Sequence, residues 1–138
     1  VVGVELRFPP AAEYVRTARL VAVAVARRAG LTHDLEELRL AVGEACARAV
    51  RRCEAASCGD QVTMFVDDTG PGLVVEVTDV AKTDPGPEPV ALSLLEGLAD
   101  RVEVLAHQGV PGGLVRLEWW PPPSFGSTPV ALPRNSAD

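Results

Sequence analysis

The stretch that most constrains the fold is residues 34–52, Asp-Leu-Glu-Glu-Leu-Arg-Leu-Ala-Val-Gly-Glu-Ala-Cys-Ala-Arg-Ala-Val-Arg-Arg. Leu35, Leu38, Ala41, Val42, Ala45, Cys46, Ala49 and Val50 recur three and four apart, which predicts a helix with one continuous apolar face. Asp34 and Glu36 fall in its first turn and Arg51 and Arg52 in its last, as the helix dipole favours. Glu44 is the one acid in the middle. A carboxylate there must reach a partner or border a cleft, because burying it unpaired is costly.

The flanking sequence supplies the rest of a single domain over residues 1–120. Residues 3–8 alternate apolar and charged and predict a strand, ended by Pro9 and Pro10. Residues 11–29 predict a helix with Tyr14, Val15, Ala18, Val21, Ala22 and Val25 on one face, stopped at Gly30. Thr32 or Asp34 is expected to cap the next helix, with Glu36 or Glu37 completing a capping box. Residues 61–66 and 73–79 predict a hairpin around the turn at 67–72, whose Asp-Asp-Thr-Gly-Pro-Gly chemistry is that of a turn. Residues 90–99 predict a third helix, and 102–106 and 114–120 two more strands around a turn at 108–113. Of Trp119 and Trp120, strand alternation sends one to the core and leaves the other exposed as a candidate partner anchor. Residues 121–138 form a polar, Pro-rich tail expected to be disordered. Strand, helix, helix, hairpin, helix, hairpin predicts an α+β fold, a two-layer sandwich with helices on one face of a mostly antiparallel sheet.

Composition narrows the function. The chain of 138 residues has a net charge of −6, which argues against nucleic-acid binding. Arg48, Arg51 and Arg52 nonetheless form a local basic cluster, suited to a helix end or a protein contact. No apolar run is long enough to span a membrane, and Glu5 and Arg7 interrupt the first apolar segment, so no signal peptide is read and a cytoplasmic location is expected. Cys46, Cys53 and Cys58 are an odd number of thiols and read as reduced; a Cys53–Cys58 disulfide is an alternative. His33 and His107 lack the ligand spacing of a zinc site.

Residues 38–50, LRLAVGEACARAV, resemble the first motif of the anti-sigma-factor serine kinases, a branch of the histidine-kinase-like (Bergerat) ATPase fold. That family reads Leu-x-x-Ala-Val-x-Glu-Ala-x-x-Asn-Ala, and its Glu and Asn serve ATP and magnesium. Glu44 matches the Glu, and Arg48 stands at the Asn position. VVEVTDVAKTDPGPEP, residues 74–89, lies where the family has a strand ending in Asp-x-Gly-x-Gly. Asp79 matches the Asp that receives the adenine amino group, while Ala81 and Thr83 stand at the glycines. ALSLLEGLADRVEV, residues 91–104, resembles Gly-Leu-x-Leu-Ile-x-x-Leu-Ala-Asp-x-Val-Glu-Val, with Ala91 at the phosphate-binding glycine. The segment before it, residues 82–89, is shorter than the family's lid and lacks its Gly-rich run. GGLVRLEW, residues 112–119, is similar to the closing Gly-Gly-Thr-x-Val-Arg-Leu, with Gly113 retained and Leu114 near the Thr. The resemblance spans residues 4–120 and implies a Bergerat fold with an altered ATP site.

Arg48 is the most informative change, since a guanidinium offers only donors where magnesium needs an oxygen. It follows Glu44 by four, so it can neutralise Glu44 and fill the metal's place. Alternatively it replaces magnesium as the phosphate counter-charge, or points to solvent. Asp79 is an adenine acceptor or an ordinary turn acid. The resemblance implies a regulator of transcription that works by partner switching with a sigma factor, a STAS-type anti-anti-sigma factor or both, often as a homodimer and in stress responses. Nucleotide binding is expected to be lost or weak, with no cofactor held and Glu44 vestigial. The alternative is an active protein serine kinase that uses ATP, with or without magnesium, and Glu44 as general base on a STAS-type partner. A third class is an accessory subunit that uses the fold only to oligomerise. Tyr14, Arg16, Arg19, Arg48, Arg51 and Arg52 are the expected partner surface.

Overall fold

The structure, a computed structural model, describes residues 3–82 and 89–122. The order is β1 (Val4–Phe8), a 3-10 turn (Ala12–Tyr14), α1 (Val15–Arg28), α2 (Leu35–Ala55), β2 (Val62–Asp67), β3 (Leu73–Thr78), α3 (Pro89–Glu96), β4 (Arg101–His107) and β5 (Val110–Trp119). The five strands form one antiparallel sheet in the order β1-β2-β3-β5-β4. The fold is the α+β sandwich that the element order predicts.

Alternation along the strands builds one buried face. Met64 pairs with Val77, and Val66 with Val75, all fully buried. Val77 and Val75 pair in turn with Val115 and Leu117, which continue the apolar surface into β5. The apolar face of α2, from Leu38 through Val50, closes over this surface, and α1 adds Val15, Ala18, Ala22 and Val25. Val21 and Leu35 are only partly buried at the margins of the core, and Tyr14 is exposed. The other face of the sheet is polar: Arg116 bonds Glu76 at 2.8 Å and Glu118 at 3.0 Å. The Glu118 carboxyl is held below the ordinary carboxylate range by Arg116 and by the Trp120 indole N–H. The two tryptophans divide as alternation requires. Trp119 is buried with its ring N–H on the carbonyl of Leu98, whereas Trp120 is 51% exposed.

Helix ends show where local chemistry departs from expectation. Gly30 stops α1 at φ +87°, and the Leu31 N–H returns to the carbonyl of Ala26 at 2.9 Å. The capping box does not form. Asp34 adopts a left-handed conformation (φ 59°, ψ 18°), its side chain makes no capping bond, and its carboxylate lies 3.7 Å from His33 instead. β5 starts at Val110, four residues earlier than expected, because Gln108 and Gly109 both take positive φ and turn the chain in two residues. A bulge between Leu105 and His107 absorbs the register shift. In the β2–β3 turn the Asp67 carboxylate accepts from the Thr69 N–H and hydroxyl at 2.9 and 2.6 Å, which holds its carboxyl below the ordinary value.

The far end of the sheet is closed by Gly72, where a Cβ would collide with the carbonyl oxygen of Trp119. Gly72→Ala is therefore expected to cost about 1–3 kcal/mol through overpacking. Urea unfolding measures it as a lower midpoint at unchanged m value.

Candidate functional site

Arg48 and Arg52 meet Asp79 and the buried Ala81 where the C-terminal half of α2 reaches the end of β3 and the start of β5. Arg48 and Arg52 are four residues apart, so they stack on one helix face, while Arg51 points elsewhere. Both inward arginines are buried, Arg52 at 1% exposure. Arg52 donates from Nε to Oδ2 of Asp79 at 2.9 Å, and from a terminal nitrogen to the carbonyl of Pro111 at 3.4 Å. Arg48 donates to the carbonyl of Gly112 at 2.8 Å. Asp79 is buried too, its other oxygen accepts the Ala81 N–H at 3.0 Å, and its own N–H donates to Gly113 at 2.9 Å.

Gly112 is what lets the guanidiniums in. Its φ of +82° suits glycine, and a Cβ there would lie 3.0 Å from Arg48 and 3.2 Å from Arg52. The start of β5 is thus shaped around two cations of α2. A buried ion pair gives little net stability relative to an apolar pair, but removing one partner strands the other charge.

Several expected roles change. Arg48 does not neutralise Glu44; Arg51, seven residues on from Glu44, does so at 2.9 Å, while Arg48 reaches across to β5. Arg48 and Arg52 are not a docking surface either, since both face the interior. Helix geometry carried that signal: a four-residue spacing puts 48 and 52 together, and one buried acid lies opposite. Ala81 is buried beside Asp79. Leu114 pairs with Thr78 and Leu105 on the polar face of the sheet, so a hydroxyl at 114 would not border Asp79. Thr83 lies outside the described residues; Ala91 is in α3, with its side chain outside them. Gly113 sits against Asp79 and His107, where a Cβ would come within 2.9 Å of the histidine Cβ.

A second arrangement lies on the outer face of the helices. Arg16, Arg19 and Arg27 of α1 and Arg39 of α2 surround a hollow of about 190 Å³ floored by Leu20, Val23 and Ala24. Gly43 lets the Arg19 stem lie across α2, since a Cβ there would meet Arg19 Cδ at 2.9 Å. Among the described residues no carboxylate comes within ion-pairing distance of Arg16, Arg19 or Arg27, and Arg39 only reaches Glu36 at 3.9 Å. Sequence reasoning found Arg16 and Arg19 but missed Arg27, Arg39 and Leu20. Positions 16, 20, 23 and 27 share one stripe of the helix, and that spacing was the available signal.

Residues 8–119 match the histidine kinase-like ATPase domain. The chain belongs to that family. It is similar to the serine-protein kinase RsbW of Staphylococcus aureus strains bovine RF122 / ET3-1, MRSA252 and JH9, at 31% identity over 78% of this chain and 81% of each relative. Kinship to these serine-protein kinases agrees with the motif resemblance around Glu44 and Asp79. Where the family's motif has an adenine acceptor, this member has a carboxylate held by Arg52. Where it has an oxygen ligand for magnesium, this member has a donor-only guanidinium. Among the described residues no three His, Cys, Asp or Glu side chains gather to hold a metal ion, and no helix is long and apolar enough to cross a membrane.

Asp79→Ala removes the carboxylate to which the buried Arg52 Nε donates and is expected to lower stability by about 3–5 kcal/mol. The double variant Arg52→Met, Asp79→Leu should recover most of that loss, because it removes both charges. Chemical denaturation of the wild type, Asp79→Ala and the double variant checks both the loss and the recovery.

Proposed function

We propose that this chain is an anti-sigma-factor-like regulator that acts in the cytoplasm by binding proteins, with nucleotide binding lost or weak. The observation that carries this reading is the Arg52–Asp79 ion pair: the carboxylate that would receive adenine already holds a charged, directional partner. Arg48 adds to it by spending its donor on Gly112 at the place of the family's magnesium ligand. To give that oxygen to adenine, Arg52 would have to break a buried, charge-assisted hydrogen bond to Asp79.

In this reading the partners are a sigma factor, a STAS-type anti-anti-sigma factor or both, met as a homodimer in a stress-response circuit. The surface that suits them is the arginine-rimmed hollow on α1 and α2. Exposed Leu20 supplies apolar contact, and Arg16, Arg19, Arg27 and Arg39 supply charge complementary to an acidic partner. Arg51 stays outside that surface, engaged with Glu44.

The second reading, an active serine kinase phosphorylating an anti-anti-sigma factor, is supported by Glu44. That carboxylate is retained, half-buried and held by Arg51, in a relative of serine-protein kinases. Calorimetric titration of the purified chain with ATP separates the readings. No saturable heat at millimolar ATP, with or without magnesium, is the expected result, and saturable magnesium-dependent binding would restore the kinase. Binding only without magnesium would assign Arg48 as a built-in phosphate counter-charge.

Charge reversal at the hollow, Arg16→Glu with Arg19→Glu and Arg39→Glu, is expected to weaken capture of the sigma or STAS partner by at least about tenfold, chiefly by slowing association. Undiminished capture in a surface-binding assay would move the partner elsewhere.

A further inference from the structure

The thiols of Cys53 and Cys58 lie together at the end of α2, a feature that the partner-binding reading does not use. Ser57 takes φ +53° and reverses the chain, and the Cys58 N–H returns to the Cys53 carbonyl at 2.7 Å. This cap folds residue 58 back over residue 53, and the two thiols act on each other electrostatically. Cys53 is fully buried; Cys58 is partly exposed. Cys58 lines a cavity of about 250 Å³ together with Ser57, Gly59, Asp60, Val80 and Lys82. An oxidant can therefore reach one sulfur directly while the other waits behind it.

We propose that Cys53 and Cys58 form a reversible intramolecular disulfide, a redox-modification site on the C-terminal end of α2 whose oxidant is a hydroperoxide. The Cys58 sulfur attacks the outer peroxide oxygen and becomes a sulfenic acid, while the O–O bond breaks and the remaining oxygen leaves as water or alcohol. The Cys53 sulfur then attacks the sulfenic sulfur, its proton leaves with the hydroxyl as water, and the S–S bond closes. Two thiols lose two electrons and two protons, and the peroxide takes up both. Burial pushes the Cys53 thiol up to about 12, so it does not initiate, and its place behind the partly exposed Cys58 makes it the thiol that resolves the intermediate. Cys46 is buried farther up α2, and burial pushes its thiol up to about 12 as well. It serves as an internal control. The staple closes one residue after Arg52, next to the ion pair that fills the site.

The test treats the full chain with excess hydrogen peroxide, then alkylates it under denaturing conditions and digests it with trypsin. Cleavage after Arg52 and Lys82 puts both cysteines in one peptide, residues 53–82, and leaves Cys46 in residues 40–48. The expected result is a 53–82 peptide lighter by two hydrogens and closed to alkylation at both cysteines, with Cys46 fully alkylated. A cut after Glu54 should give two fragments that stay joined until reduced. Dithiothreitol should reverse the change, which separates it from sulfoxide formation at Met64 in the same peptide. Cys58→Ser should leave Cys53 open to alkylation after the same treatment. The proposal is overturned by oxygen adducts on Cys58 with Cys53 still alkylating, by a disulfide joining two copies, or by full alkylation of both thiols after prolonged peroxide.

Discussion

A guanidinium and a carboxylate, both withdrawn from water, hold the end of α2 against the sheet, and neither could stay buried alone. Arg52 and Asp79 are 1% and 3% exposed and 2.9 Å apart. Such a pair is poor at adding net stability, because desolvating two ions offsets most of their attraction. It is strong at fixing geometry, because every alternative placement of either residue leaves a charge unpaired. The carbonyls of Pro111 and Gly112 and the Ala81 N–H complete the arrangement. The positive φ at Gly112 favours glycine, and both arginine ends pack closely against it, so the start of β5 and the end of α2 fit each other.

Much of the scaffold was legible from periodicity. The three/four recurrence in residues 34–52 located the buried face of α2, and period-two alternation located the inner face of β2, β3 and β5. Both follow from the geometry of regular backbone and need no tertiary information. The site was legible only as a set of departures from a motif. Treating Arg48, Arg51 and Arg52 as one basic cluster missed that the helical step turns Arg51 away from the other two. Charged residues are read as solvent-facing by default, and a buried counter-charge at Asp79, twenty-seven residues away from Arg52, is invisible to any local pattern. Asp34 has a capping residue type but takes a left-handed backbone, and that choice depends on how the α1–α2 turn packs.

The chain keeps the family's fold and departs from its motif at Arg48 and Ala81. Core positions on α2, β3 and β5 depend on volume and apolarity, so they tolerate many sequences that preserve both. Site positions depend on donor and acceptor identity, which one substitution inverts. Placing an arginine at 48 replaces an acceptor with donors, one of which bonds the carbonyl of Gly112. Filling of this kind is self-consistent only when several positions change together. Arg48 and Arg52 lie close against the glycine at 112, and Arg52 donates to Asp79.

α2 links the two features on which the proposed function rests. Its inward face carries Arg48 and Arg52 to the filled site; its outward side carries Arg39 and, through Gly43, seats Arg19 of α1 at the arginine-rimmed hollow. In a nucleotide-dependent relative, ligand binding would be free to bias the position of such a helix and so couple chemistry to docking. In the proposed reading the counter-charge comes from the chain itself, and the helix end is tied to β3 and β5 by Arg52 and Arg48. A surface presented on a helix held this way pays no ordering cost on nucleotide binding, so partner affinity should follow the complementarity of the hollow and not the nucleotide pool. Control of the proposed interaction would then have to enter elsewhere, and the thiol pair at the last turn of the same helix is positioned to supply it.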